Sequence, residues 1–389
     1  MEMYLDYSAT TPPRREVITK MDEVLTTQWG NPSSLHRWGT RAATILETAR
    51  IEVASLINAP HPDNLIFTSG GTEADNLAIM GIARRYPTPE HIIISQVEHP
   101  AIAEPVKLLE QWGWEITRLP VNAQGRVNPL DLQKALRPNT VLVSIIYGQS
   151  EVGTLQPIDK LGAIARDHGV LFHTDAVQVA GKLPIDVQKL PVDLLSLSSH
   201  KIYGPLGAGA LYVAQGVKLV PLLLGGGQER GLRSGTQAVP VIAGFGVAAA
   251  AAAAEMSTET PRLITLRDRL FHLLSECTHL IPTGDRTHRL PHHLSFCLAE
   301  GKAPSTKKQK EIDLLSLLYN TGNMTGNAIV RKLNEAGIGI SAGSACHSGK
   351  LMPSSVLLAM GYSESEAMRG IRLTLGRDSV LPIEFLDNY

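Results

Sequence analysis

Apolar positions along the chain fall into two alternating periods. Short apolar runs recur at 65–68, 92–95, 115–119, 141–146, 170–173, 193–197 and 209–213, and most are separated by stretches with helical spacing at 73–85, 102–112, 129–136 and 158–168. Strand alternating with helix predicts an α/β fold, a doubly wound and mainly parallel seven-stranded sheet with helices on both faces. Ahead of it, Val17, Met21, Val24 and Leu25 place a helix over 16–27, and a longer one is expected from about 40 to 57. After an alanine-rich helix at 238–254 the rhythm changes. A helix at 263–274, an alternating strand at 293–298, a helix at 328–334, a short strand at 339–341 and a helix at 354–360 make a smaller α+β domain. The expected division is a large domain over 14–257 and a small one built from 1–13 and 258–389. An insertion at 301–327 would carry a short docking helix at 312–318.

Composition narrows the setting. Of the 389 residues 43% are apolar and 19% charged, which is ordinary for a soluble globular protein. A formal charge of −1 gives no pull toward nucleic acid or an anionic membrane. The 238–254 window is almost wholly apolar but contains Pro240 and two glycines and is short for a span, so a packed soluble helix is expected. The opening Met-Glu-Met-Tyr-Leu-Asp is not of leader type, and a cytoplasmic protein is expected. Three cysteines without CxxC spacing argue against a disulfide framework or a structural zinc. His288-Arg-Leu-Pro-His-His293 is a poor zinc motif: Pro291 breaks the spacing, and no cysteine or carboxylate lies near.

In a doubly wound sheet, ligands sit at the carboxyl ends of the strands. The run at 65–68 leads into Ser69-Gly-Gly-Thr, where Gly71 and Thr72 open a helix suited to an anion. The next run leads to His99. Asp175 follows the fifth run, placed either to cap a helix or to face a pyridinium nitrogen. Ser198, His200 and Lys201 follow the sixth; a partly desolvated lysine there is suited to forming a Schiff base. Each has an ordinary structural reading as a turn, a cap or a surface loop. Together they describe a pocket for a phosphorylated, aldehyde-bearing pyridinium compound, which is pyridoxal 5′-phosphate.

The motifs Tyr4-Leu-Asp-Tyr-Ser-Ala-Thr-Thr-Pro, Phe67-Thr-Ser-Gly-Gly-Thr-Glu-Ala-Asp-Asn, His173-Thr-Asp-Ala-Val-Gln, Ser199-His-Lys-Ile-Tyr-Gly-Pro, Gly227-Gln-Glu-Arg-Gly-Leu-Arg-Ser-Gly-Thr, Gly343-Ser-Ala-Cys and Ile371-Arg-Leu-Thr-Leu-Gly-Arg closely resemble the class V aminotransferase group of pyridoxal-phosphate enzymes, and within it the cysteine desulfurases. The resemblance covers about residues 4–377 and implies the type I fold of these transferases. It implies that Lys201 holds the cofactor as a Schiff base, Asp175 keeps its pyridine nitrogen protonated, Gln178 bonds its phenolic oxygen and His99 stacks on the ring. Gly71, Thr72, Ser198 and His200 would bind the phosphate. Thr236 would reach the phosphate of the other subunit of a homodimer. Arg372 would clamp the substrate carboxylate, a task suited to the guanidinium fork.

Cys346 lies in a run of small residues, Ser341-Ala-Gly-Ser-Ala-Cys-His-Ser-Gly349, that resembles the branch with an extended cysteine loop. It would take sulfur from L-cysteine as a persulfide, leaving L-alanine, with His99 carrying a proton. The sulfur would pass to an acceptor protein for iron–sulfur cluster assembly or for thio-cofactor or tRNA synthesis. No metal centre is implied, although Cys346 could ligate a transient iron–sulfur cluster. Cys277 and Cys297 are expected to be structural. Where the family commonly has Asn-Asn-Glu, this chain has Gln149-Ser150-Glu151, so Ser150 occupies a substrate-binding position with a shorter side chain. A selenocysteine lyase or other enzyme on the same scaffold, or a catalytically weakened sulfur-assembly scaffold, are the alternative readings.

Overall fold

A computed structural model of the chain describes residues 2–275, 277, 279–299, 318, 321, 324–343, 346–347 and 350–379. The expected docking helix at 312–318 and most of the 301–327 insertion lie outside the described residues. In chain order, β1 (Met3–Tyr4), α1 (Arg15–Thr26) and α2 (Arg37–Leu56) come first. Then follow β2 (Leu65–Thr68), α3 (Gly71–Ala83), β3 (His91–Ser95), α4 (Pro100–Gln111), β4 (Glu115–Leu119), α5 (Pro129–Ala135), β5 (Thr140–Ser144), α6 (Ile158–Asp167), β6 (Leu171–Asp175), β7 (Leu194–Ser198) and β8 (Gly209–Val213). These strands form one sheet in the order β2-β8-β7-β6-β5-β3-β4. All run the same way except β8, which is antiparallel to both β2 and β7.

The local sequence explains the element ends. Strands β2, β3, β7 and β8 are buried throughout, as a sheet covered on both faces requires, and read as near-continuous apolar runs. His99 and Asn128 cap α4 and α5 by accepting from backbone N–H groups, and a proline follows each cap at the first helical position, where its missing N–H costs nothing. Separate apolar cores lie on the two faces of the sheet, one around Phe172 and Phe245, the other around Ile79 and Ile94.

One helix differs from expectation. The segments at 238–254 and 263–274 form a single α7 (Val239–Ser275) that contains Pro261. Thr260 donates to the Lys182 carbonyl at 2.7 Å and Thr258 to the Glu255 carbonyl at 2.9 Å, so hydroxyl bonds secure the turn before the proline. Among the described residues α7 is the one helix long and apolar enough to cross a membrane; here Ala248, Ala249 and Phe245 are fully buried, and the helix packs on α1 and α2.

Beyond α7 come β9 (Leu280–Pro282), β10 (His293–Leu298), α8 (Gly326–Glu335), β11 (Ile338–Gly339), β12 (Ser341–Ala342), β13 (Cys346–His347), β14 (Lys350–Leu351), α9 (Ser355–Ala359), α10 (Glu364–Ala367) and β15 (Gly370–Thr374). Strands β12-β15-β10-β9 make a second, antiparallel sheet. Its core joins Leu5 to Phe271, Phe296, Ile329 and Leu373, so the amino-terminal segment belongs to this core. From Leu5 the chain returns to the large sheet, where Thr11 N and Oγ1 both donate to the His200 carbonyl. That return lays Ser8 and Ala9 across the carboxyl ends of the strands.

Candidate active site

A cavity of about 310 Å³ opens at those strand ends, lined by residues that include Gly71, Thr72, Asp175, Lys201 and Arg372. The sequence-predicted His99, Gln178, Ser198, His200 and Ser150 line it as well. Thr236 does not; it is exposed, on the loop between β8 and α7. Cys346 belongs to the short β13–β14 hairpin, and its side chain lies outside the described residues. Cys277 and Cys297 are both buried, and burial pushes the Cys297 thiol up to about 12, far from a reactive value.

Lys201 is held by the returning amino-terminal segment. Its Nζ donates to the carbonyl oxygens of Ser8 at 2.6 Å and Ala9 at 2.7 Å. Burial and then the nearby Arg372 guanidinium lower its pKa to about 8, against the opposing pull of Asp175 and Asp6. A useful fraction is therefore the neutral, nucleophilic amine near neutrality. The Ser8 carbonyl also accepts from Gln178 Nε2 at 2.9 Å.

Asp175, at the end of β6, accepts the Val177 N–H at 2.9 Å. Burial raises its pKa, with His99 and Lys201 pulling the other way. Two more carboxyls lie beneath. Asp75, one turn into α3, is raised well above the usual range by burial and by Asp175, and its Oδ1 has no hydrogen-bond partner. Glu98 is pushed up to about 8 by burial, although its Oε1 accepts from Ser95 Oγ at 2.5 Å and Ile146 N at 3.0 Å. Ligand atoms of Asp75, His99 and Asp175 lie within 4.8 Å of one another.

His99 serves two purposes at once. Its Nδ1 accepts the Ala101 N–H at 3.1 Å as the α4 cap, which places the ring proton on Nε2. Burial lowers its pKa, so the ring stays neutral. His173, by contrast, is tied between Ser144 Oγ at 2.8 Å and Ser196 Oγ at 3.0 Å, and burial drops its pKa to about 3; it braces the sheet.

Arg372, on β15, brings the second sheet to the cavity. Nη2 donates to Asp6 Oδ1 at 2.8 Å and Nη1 to the Ser150 carbonyl at 2.9 Å, while Nε is buried without a partner. The motifs along the chain do not disclose Asp75, Glu98, Asp6 or Ser8 as members of the site. Asp75 could have been found as the acid on the apolar side of the first turns of α3, and Asp6 as the one charged residue of the Tyr4-Leu-Asp-Tyr motif.

The residues present fit pyridoxal 5′-phosphate. Ser198 Oγ is buried without a partner beside the start of α3, which has no side-chain cap, so hydroxyl and backbone N–H donors converge where a phosphate would sit. A Cβ at Gly71 would stand 2.9 Å from Val177 Cγ2 and 3.5 Å from Ser198 Cβ, so only glycine keeps this backbone close. Asp175 is a buried acid that makes no ion pair among the described residues.

The doubly wound sheet with a cavity at its carboxyl edge is the type I fold of the pyridoxal-phosphate transferases. The chain belongs to the class V aminotransferase family, which it matches over residues 3–379. It is 44% identical over 377 residues to the cysteine desulfurase IscS of Dictyoglomus turgidum, covering 96% of this chain and 90% of the relative. It is 42% identical over 378 residues to the IscS of Methanosarcina thermophila, covering 96% and 87%. Among solved structures, a NifS-like protein superposes with a TM-score of 0.87 at 32% identity over 100% of this chain and 96% of that one. A structure described as SspA in complex with cysteine gives 0.80 at 34% identity over 96% and 98%.

Proposed function

We propose that the protein is a cysteine desulfurase that binds pyridoxal 5′-phosphate, removes sulfur from L-cysteine and leaves L-alanine. The observation that carries the reading is the cavity in which Lys201, Asp175, His99 and Arg372 converge, in a chain whose relatives are cysteine desulfurases. Lys201 would hold the cofactor, Asp175 would face its ring nitrogen, and the α3 N-terminus with Ser198 and His200 would hold its phosphate. Once bound, the group supplies an electron sink that draws charge from the substrate Cα and loosens the carbon–sulfur bond.

The chain's own groups do the rest. Arg372 orients the substrate carboxylate. Lys201, when released from the cofactor, is a base of suitable strength to take the Cα proton. His99 holds a proton at Nε2 over the same cavity. The Cys346 thiolate forms a sulfur–sulfur bond as the substrate carbon–sulfur bond breaks; the bonding pair stays on Cβ, which takes up a proton to become the methyl of alanine. The persulfide then passes to an acceptor protein serving iron–sulfur or thio-cofactor and tRNA synthesis.

A homodimer is supported by Thr236, exposed and away from its own cavity, and by Leu35, Leu206 and Leu224, all strongly exposed. The separate cores support a large domain over 14–257 and a small one from 1–13 and 258–389, α7 crossing between them. The test is mass analysis of the Cys346 peptide after incubation with L-cysteine, with alanine measured in parallel. The expected result is the mass of one added sulfur atom, and loss of sulfide release in Cys346→Ser. Alanine formation that persists unchanged in Cys346→Ser would overturn the reading.

A further inference from the structure

The pair His292-His293, which makes no sense as a zinc motif, sits directly behind the cavity. Both rings are fully buried. His292 Nε2 lies 3.1 Å from Ser8 Oγ, and His293 Nε2 lies 3.0 Å from the Ser150 carbonyl oxygen. The Ser150 carbonyl is also the acceptor for Arg372 Nη1 at 2.9 Å. A carbonyl has two lone pairs, so these two donors saturate it and fix its direction. Because a carbonyl can only accept, the His293 proton must be on Nε2. Burial, and then Arg289 and Arg372, drive the His293 pKa well below its ordinary value, so the ring remains a neutral single donor.

Packing leaves His293 little freedom to do otherwise. Its Nδ1 has no partner, and Gly153 presses against the ring so closely that a Cβ there would stand 2.6 Å from Nδ1. His293 pairs with Thr374 and Ser295 with Arg372, so the histidine and the arginine stand on adjacent strands two positions apart. On its other side the guanidinium is held by Asp6, itself fixed by Ser341 Oγ at 2.8 Å. Arg372 is thus suspended between a carboxylate and a carbonyl, and the carbonyl is held from behind by His293. This also gives position 150 a role that does not depend on side-chain length.

We propose that His293 is a positioning residue for substrate binding: by fixing the Ser150 carbonyl it sets the placement of Arg372, and with it the affinity for an amino-acid carboxylate. This rests on Arg372 being the carboxylate clamp. The experiment uses the full chain carrying its cofactor and compares His293→Phe, which loses the donor, with His293→Gln, whose amide can reach the same carbonyl, and with Arg372→Ala. Turnover of L-cysteine is read together with calorimetric binding of 3-mercaptopropionate, which has the carboxylate but no amine, and of cysteamine, which has the amine but no carboxylate.

The expected result for His293→Phe is a KM raised about tenfold with kcat within about twofold, the scale of one lost hydrogen bond to a buried carbonyl. Binding of 3-mercaptopropionate should weaken by a similar factor, cysteamine binding should be unchanged, and His293→Gln should recover most of the loss. An unchanged KM, or equal loss for both ligands, overturns the proposal while a large effect of Arg372→Ala keeps the clamp. If Arg372→Ala leaves 3-mercaptopropionate binding intact, the clamp itself falls. Should His293→Phe not fold, His293→Asn, whose amide falls short of the carbonyl, takes its place.

Discussion

Glu229 and Asp175 are carboxylates of equal burial, each 5% exposed, in opposite electrostatic circumstances. Glu229 accepts from Arg50 Nη1 at 2.7 Å and Nη2 at 2.9 Å, from Phe67 N at 2.9 Å and from Gln237 Nε2 at 3.2 Å. Burial alone would raise its pKa; the Arg50 pair outweighs that and holds it below the usual range. The same loop is tied a second time, by Arg233 to Glu73 at 2.8 Å. Around Asp175 burial outweighs the opposing pull of His99 and Lys201, so its pKa is raised, and its charge in turn pushes the Asp75 and Glu98 carboxyls up. Equal depth therefore does not give two carboxylates the same state. Where charge holds a loop in place the chain supplies every partner, and at the cavity it leaves burial only partly offset.

Substitutions on the two sides should fail in different currencies. Lys201→Ala should cut alanine formation by more than about 10³-fold and abolish borohydride-stable attachment of the cofactor. Its urea midpoint should not fall, since a buried ammonium of depressed pKa has been removed. Covalent attachment that survives would place the cofactor on another residue. Glu229→Gln should do the reverse: it leaves the buried Arg50 with only the half-exposed Glu47 carboxylate, at 3.2 Å from Nε, as its counter-ion and should cost about 3 kcal/mol of unfolding free energy. Parity with the parent protein in urea would show that Glu47 alone balances Arg50.

A subtler difference concerns pH. Glu98 titrates at 4.5 when unperturbed and at about 8 in the folded protein, with burial the largest cause. Between those values the folded state holds a proton that the unfolded chain has lost, so the cost of Glu98 accumulates as pH rises from about 4.5 to about 8. Glu98→Gln should therefore reduce the stability lost between pH 5 and pH 8 in the cofactor-free protein, by roughly 2–4 kcal/mol. Identical pH slopes in the two proteins would assign the proton to a neighbouring carboxyl.

The alternation of apolar runs discloses the large sheet nearly strand for strand, because every run but the edge strand β4 is largely buried and the ends are marked by caps and turns. The positions of Lys201, Asp175 and His99 at strand ends are legible for the same reason. What pattern cannot reach is contact between distant segments. Asp6 and Arg372 are 366 residues apart, and nothing in either neighbourhood announces the ion pair. The capture of Lys201 by the Ser8 and Ala9 carbonyls depends on backbone atoms, which every residue possesses. Two helices read from 238–254 and 263–274 are one because bonds from Thr258 and Thr260 secure the chain ahead of Pro261, against the local tendency of proline to end a helix. The role of His293 is similarly a matter of what lies behind the cavity.

Gly343 leaves β12 with its N–H bonded to the Gly370 carbonyl at 3.1 Å, and a Cβ there would overlap the Glu151 carboxylate. That anchor sits beside the strand that carries Arg372. Three residues later comes Cys346, so however the intervening chain is disposed, its length allows at most about 10 Å from the anchor. Such a leash keeps the thiol at an effective concentration of millimolar or more around the substrate. On the proposed reading, in which Cys346 takes the sulfur, transfer to it is an intramolecular step whose rate does not depend on protein concentration, and a thiol in free solution must exceed that local concentration before it can intercept the sulfur.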